Sequence, residues 1–274
     1  MKVLVAITNY GPFRFGYLDK VIRTYQRMPY DVDVVIHSDR PKRVPPGTRL
    51  AVGLPTPDPW SLPFAHKGLF AAHRDAYDLF VYTEDDILIE APNLEAFLRV
   101  SADLPEGEVA GFLRYERDDG RTYLVDAHDP YDWVPGSACT RGGYTFARFA
   151  NEHSGCYALT RDQLRAALRS GGYLVGPHAT FYPMRESAAT DPYTRCGLTR
   201  RVCVSHLDSF LVHHLPNTYA GVLGTELGEF RRRAECLLAG AGAQGLRGVG
   251  LGEGERNLRG IGLGEGDRSG RVPG

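Results

Sequence analysis

Cysteine is scarce in this sequence of 274 residues, and its five copies, Cys139, Cys156, Cys196, Cys203 and Cys236, include no CxxC pair. That spacing argues against a structural zinc site, and an odd number without a secretion signal predicts reduced thiols serving as small core residues. An excess of either charge is missing too: the net charge is -1, so no global field draws the chain to nucleic acid or anionic lipid. No apolar run approaches the roughly 20 residues that span a bilayer, so no membrane span is expected. MKVLVAITNYG is apolar for only a few residues and has no small-residue cleavage site after it, which predicts a cytoplasmic protein. No GxSxG is present, which removes support for a hydrolase with a serine nucleophile.

What is present is ordinary globular composition, 43% hydrophobic and 24% charged, over most of the length. Beyond Ala239 aromatic residues vanish, glycine dominates, and a twelve-residue unit appears twice, LRGVGLGEGERN from Leu246 and LRGIGLGEGDRS from Leu258. Two glycine-rich copies cannot bury enough surface to offset the entropy of ordering them, so residues 239–274 are expected to be a disordered tail. Residues 1–238 are expected to form one fused domain, with a nucleotide-binding half over 1–104 and an acceptor half over 105–238.

The first half alternates strand and helix. VLVAIT reads as a strand covered on both faces, and Leu18, Val21, Ile22 and Tyr25 then recur at helical spacing. DVDVVIHSD and RLAVGL follow as strands, Ala65 to Tyr77 as a helix, and LFVYT as the next strand. Pro92 and Asn93 open a further helix carrying Leu94, Phe97 and Leu98. This order predicts an α/β fold, Rossmann-like, with an open, mixed and mostly parallel sheet flanked by helices. Farther on, EVAGFLRYE and RTYLVDA read as neighbouring strands joined by a charged turn, and Thr160 with Gln163 has capping-box spacing.

The chemistry is expected where LFVYT meets YTEDDILIE. Three adjacent carboxylates, Glu84, Asp85 and Asp86, repel one another at the end of an apparently buried strand, with Ile87, Leu88 and Ile89 directly behind. A solvated acidic turn does not need apolar residues on both sides. In open α/β sheets ligands bind beyond the carboxyl ends of the strands, and oxygen ligands there select a hard cation, Mn²⁺ or Mg²⁺. Such an ion leaves positions open for substrate phosphates.

A strand followed by EDD, an apolar run and a helix resembles the metal site of GT-A glycosyltransferases, whose DXD motif holds a nucleotide-sugar. EDDILIEAPNLEAFL is similar over about fifteen residues to the EDD segment of the N-acetylglucosaminyltransferase I family, and the looser GT-A element order spans Met1 to Gly221. The resemblance implies Asp86 as the direct metal ligand, with Glu84 and Asp85 shaping nucleotide and sugar contacts. It places the nucleotide pocket at Thr8, Asn9 and Tyr10 after the first strand and at Ser38 and Asp39 after the second. Lys67, beside His66, would meet base, ribose or phosphate.

The same resemblance implies transfer of a sugar from a nucleotide-sugar donor, a UDP-sugar favoured, to a glycan or small-molecule acceptor, with inversion expected. Inversion needs a further carboxylate to take the acceptor's proton. Glu186 in YPMRESAATDPY resembles the family's acidic segment, with Asp191 and Asp208 as the other candidates. Many GT-A proteins complete the site with a late histidine. In VHHLPNTY adjacent side chains of an extended segment point to opposite faces, so one of the pair is expected at the metal, and His214 is favoured over His213, with His206 next. Ser154, Gly155 and Cys156 are candidates for the acceptor wall. The animal enzymes of that family carry a membrane anchor and this sequence has none, so neither their donor sugar nor their protein-glycan acceptor follows.

Two other readings stand beside this one. A nucleotidyltransferase making nucleotide-sugars would share the sheet and the metal chemistry, and would normally show a glycine-rich basic loop after the first strand; NYGPFRFG has two glycines and one arginine. A non-catalytic carbohydrate-binding module would use the aromatic stretch from Tyr131 to Trp133.

Overall fold

The computed structural model describes residues 1–12 and 15–244. The repeats from 246 onward, and Phe13 and Arg14 of NYGPFRFG, lie outside the described residues.

The first half builds β1 (Lys2–Asn9), α1 (Phe15–Gln26), β2 (Asp31–Ser38), β3 (Thr48–Val52), α2 (Ala65–Ala72) and β4 (Leu79–Glu84). The two residues Asp85 and Asp86 then separate β4 from a short β5 (Ile87–Leu88), and α3 (Ala91–Ser101) follows. The second half adds β6 (Glu108–Ala110), β7 (Leu113–Asp118), β8 (Arg121–Leu124), β9 (Cys139–Arg141), β10 (Tyr144–Ala147) and β11 (Cys156–Thr160). It closes with α4 (Arg161–Arg169), α5 (Met184–Thr194), β12 (Thr199–Cys203), β13 (Leu211–His214), β14 (Thr225–Glu226) and α6 (Leu227–Gln244).

The expected α/β class is the one observed. Its central sheet has the order β11-β4-β1-β2-β3, parallel except for the antiparallel β11. Val3 to Ile7 of β1 are fully buried, as a strand with neighbours on both sides and helices over its faces requires. Leu18, Val21, Ile22 and Tyr25 of α1 enter the same core. Two further sheets, β6-β12-β10-β9 and β14-β8-β7-β13-β5, are found among the described residues.

Some boundaries differ from those expected. The helix from Ala65 ends at Ala72, five residues short of Tyr77. EVAGFLRYE does not run as one strand: it divides at Gly111 into β6 and β7, which belong to different sheets. Arg200 is buried at this point, and a Cβ at Gly111 would stand 2.4 Å from its Nε, so glycine is what fits where the strand divides. Arg200 donates from Nη1 to the Asn151 carbonyl at 2.7 Å and from Nη2 to that of Phe112, so backbone oxygens compensate its charge. The helix α6 runs through Gln244, past the boundary at 238 read from composition.

Candidate active site

Register sets where the acids lie. β4 pairs with β1 so that Glu84 stands opposite Thr8, which brings the acids and the residues after the first strand to one edge of the central sheet. After the Asp85–Asp86 turn the chain leaves that sheet, and β5 joins β13 instead, with His214 opposite Ile87. The Leu215 amide donates to the Asp86 carbonyl at 2.8 Å and locks this junction. Gly155 supports it from the other side. Its carbonyl accepts from the Glu84 amide at 3.1 Å, its φ is +59°, and a Cβ there would meet Ile87 Cδ1 at 2.5 Å. Cys156 is buried in β11 against Thr83, and the Ser154 hydroxyl donates to the Cys156 carbonyl at 3.0 Å.

Asp86 and His214 are both buried, with His214 Nε2 3.5 Å from Asp86 Oδ2. His214 Nδ1 lies 2.5 Å from Glu116 Oε1, while Glu116 Oε2 accepts from the amides of Tyr219 and Ala220 at 2.7 and 2.6 Å. Burial lowers the His214 pKa and the Glu116 hydrogen bond opposes it. A neutral imidazole that donates its Nδ1–H in a hydrogen bond to a carboxylate presents a lone pair at Nε2, here facing a second lone-pair-bearing group. Among the described residues no group of three or more His, Cys, Asp and Glu side chains is arranged to hold an ion by itself.

On the β1 side the expected residues divide by role. Thr8 and Tyr10 line a cavity of about 460 Å³ with Pro59, Trp60, Leu62, Pro63, Glu84, Asp85 and Arg185. That size is ordinary for a small-molecule site. Asn9 donates its amide to Asp85 and accepts from Lys42, whose ammonium also reaches the carbonyls of Asn9 and Gly11 at 3.2 and 3.0 Å. Asp39 accepts from the Gly11 amide at 2.9 Å and Ser38 donates to the Arg40 carbonyl at 2.9 Å. The first bond ties down the loop after β1, and the second shapes the turn after β2.

A second hollow, of about 310 Å³, adjoins the first. Glu84, Asp86, Arg114, Asn151, His153, Tyr182, Arg185, Glu186 and His214 are among its lining residues, and Tyr131 of the aromatic stretch stands there too. Glu84 and Arg185 line both cavities. Burial raises the Glu186 pKa, opposed by Arg185 and Arg114 and reinforced by Glu84. Asp126 accepts from both the backbone amide and Nε of Arg114, at 2.7 and 2.8 Å.

Three expected site residues stand elsewhere. Lys67 and Asp191, read as a nucleotide contact and a candidate base, are instead a buried ion pair with each other, joining α2 to α5. His178 Nε2 and Arg195 Nε also approach Asp191, at 3.2 and 3.7 Å. Asp208 pairs with Arg231 and lines a separate surface hollow with Glu90 and Pro92. A charge inside a strand–helix core pairs when it can, and one-dimensional spacing does not reveal the partner. His66 is likewise a core residue, its Nε2 2.6 Å from the Tyr157 hydroxyl and its ring stacked on Tyr82. The sequence reading missed Trp60, Lys42, Arg114, Glu116 and Arg185; of these only Arg185 had a signal, standing immediately before Glu186.

No protein-family model matches this chain, and no curated protein sequence matches it either. Among solved structures it is similar to CMP:2-keto-3-deoxy-manno-octonic acid synthetase complexed with CTP, at 14% identity and a TM-score of 0.44, covering 87% of this chain and 99% of that one. It is similar also to 4-diphosphocytidyl-2C-methyl-D-erythritol synthase, at 11% identity and a TM-score of 0.38, covering 86% of this chain and 99% of that one. Likeness at this level carries no argument about chemistry. The glycosyltransferase expectation, with its N-acetylglucosaminyltransferase I-like segment, is corrected: the solved structures found are a CMP-compound synthetase and a diphosphocytidyl-compound synthase, and neither is a sugar transferase. Among the described residues no helix is long and apolar enough to cross a membrane.

Proposed function

We propose that this protein is a metal-assisted nucleotidyltransferase that joins a nucleotide to a small hydroxyl-bearing substrate. One observation carries the reading: two cavities meet at Glu84, and the Asp86–His214 pair stands beside that meeting point. The larger, with the apolar wall of Trp60, Leu62 and Pro63 beside Thr8, suits a nucleotide. The smaller, with carboxylates, Asn151, Tyr131 and Tyr182, suits a compound rich in hydroxyl groups.

The residues present fit a hard divalent cation, Mg²⁺ or Mn²⁺. Asp86 Oδ2 and His214 Nε2 face each other with lone pairs, and Glu116 fixes the imidazole as carboxylates do behind metal-bound histidines. An ion held by these two would take its remaining ligands from phosphate oxygens and water. When bound, it would supply neutralisation of the charge that gathers on the phosphates during displacement.

The chain's own residues do the rest. The second substrate is held so that its hydroxyl oxygen attacks the α-phosphorus of a nucleoside triphosphate. The new P–O bond forms as the α–β bridge breaks and pyrophosphate leaves. Glu186, half-buried at the smaller cavity, takes the hydroxyl proton. Asn9 and Lys42 brace Asp85 at the larger cavity.

The test is a screen of the four common nucleoside triphosphates against sugars and sugar acids, read as pyrophosphate release with Mg²⁺ or Mn²⁺. Metal-dependent pyrophosphate release in step with a nucleotidyl product is expected. Release of a nucleoside diphosphate from a nucleotide-sugar, with no pyrophosphate from any triphosphate, would overturn the reading. Carbohydrate binding without any nucleotide binding would leave the binding-module alternative.

A further inference from the structure

We infer that Arg185 is the phosphate anchor of this site and that the Trp60 ring holds its guanidinium in place; this rests on the nucleotide reading of the larger cavity.

Arg185 lies in the first turn of α5, next to Glu186. Its guanidinium carbon is 5.0 Å from the centroid of the Trp60 ring, and Trp60 is more than half exposed on the cavity wall. An arginine over an indole is engaged through its planar face, so the N–H donors at its edge stay available. The nearest carboxylate, Glu186 Oε1, is 3.7 Å from Nη2, longer than a hydrogen bond. Arg114, the other guanidinium of the smaller cavity, is in a different situation. Its Nε and its backbone amide both go to Asp126, so that charge is compensated within the protein.

Position selects the ligand. Arg185 and Glu84 are the two residues that line both cavities, so a ligand reaching from one into the other lies beside them. Glu84 repels an anion, and the Arg185 side chain, half exposed, is the cation positioned to offset it. A planar fork whose edge meets only the Glu186 carboxylate, at 3.7 Å, can still match two oxygens of one phosphoryl group. The apolar remainder of the larger cavity then receives the base and ribose. α5 itself is held from behind by the buried Lys67–Asp191 pair, so the helix presents Arg185 from a fixed base.

Calorimetric titration with a nucleoside and its mono-, di- and triphosphate, with inorganic pyrophosphate as a separate probe, tests this. In the wild type, affinity should rise with each phosphate. Arg185→Gln should weaken triphosphate binding by roughly 10- to 100-fold and leave nucleoside binding unchanged. Arg185→Lys should recover part of the loss, since it keeps the charge and loses the fork, and Trp60→Leu should weaken the triphosphate by less than Arg185→Gln. Triphosphate binding that is normal in Arg185→Gln, with unchanged melting, would overturn the anchor while the nucleotide reading stands. Pyrophosphate binding that depends on Arg185, in a wild type that binds no nucleoside phosphate better than pyrophosphate, would retain the anchor and overturn the nucleotide reading. If neither probe binds the wild type, both fall.

Discussion

His214 Nε2 stands 3.5 Å from Asp86 Oδ2 because β13 pairs with Ile87 and Leu88 of β5, directly after the turn at which the chain leaves the central sheet. Asp86 follows β4 and His214 ends β13, so the pair exists only when both sheets are in register. Glu116, on β7 beside β13, completes the line by engaging the far side of the imidazole.

The first prediction concerns this line. Asp86→Asn should abolish the dependence of nucleotide binding on Mn²⁺ with the melting temperature nearly unchanged, because a neutral amide is a poor ligand for a hard cation. Glu116→Gln should lower Mn²⁺ affinity by about 10- to 100-fold, the usual effect of removing the support behind a ligating histidine. Titration of Mn²⁺ by electron paramagnetic resonance reads both, and normal ion affinity in Asp86→Asn would remove the metal from this position.

Glu186 should set the acidic limb of the pH–rate profile. Burial raises its pKa, so it becomes a base only as the pH passes above the ordinary carboxylate value, and turnover should climb through that window. Glu186→Gln should erase the limb and reduce turnover by roughly 10²-fold while nucleotide affinity is kept. A limb that persists in Glu186→Gln would assign the proton to another group.

The Lys67–Asp191 pair is expected to support the fold. Either Lys67→Met or Asp191→Asn leaves a buried charge without its partner and should cost about 3–5 kcal/mol, read by urea unfolding. Replacing both, as Lys67→Met with Asp191→Leu, should recover much of that loss. Lost turnover with unchanged unfolding in Asp191→Asn would return that residue to the chemistry.

His37 should make the fold sensitive to acid. Burial on β2 lowers its pKa to about 4 from 6.5, so the unfolded chain binds more protons between those values. Stability should therefore fall as the pH drops from 6.5 to 4, by up to about 3 kcal/mol from this residue at 1.36 kcal/mol per unit. Buried His66 and His153, also lowered by burial, add to the same slope. Unfolding free energies of the wild type and His37→Gln across this range check it, and identical slopes would refute the assignment.

Local patterns determined much of the protein from sequence alone. The apolar run of β1 announced a strand covered on both faces, and the spacing of Leu18, Val21, Ile22 and Tyr25 announced α1. Thr160 and Gln163 form the capping box their spacing predicts, because that motif needs only backbone and side chains three residues apart. The edge position of Glu84, Asp85 and Asp86 was legible for the same reason: it depends on one strand and where it ends.

Tertiary structure decided what depends on pairing between distant segments. Nothing local distinguishes Asp191 as the partner of Lys67 from Glu186 as a cavity residue, although both lie on α5. The neighbour that crowds Gly111, where EVAGFLRYE splits, is Arg200 from far along the chain, and the place of Arg185 over Trp60 is set by the packing of α5 against the segment before α2. Helical and strand periods report which residues face a core. Which charge meets which across that core is fixed only when separate elements dock, since burial makes an unpaired charge costly and the docked geometry selects its partner.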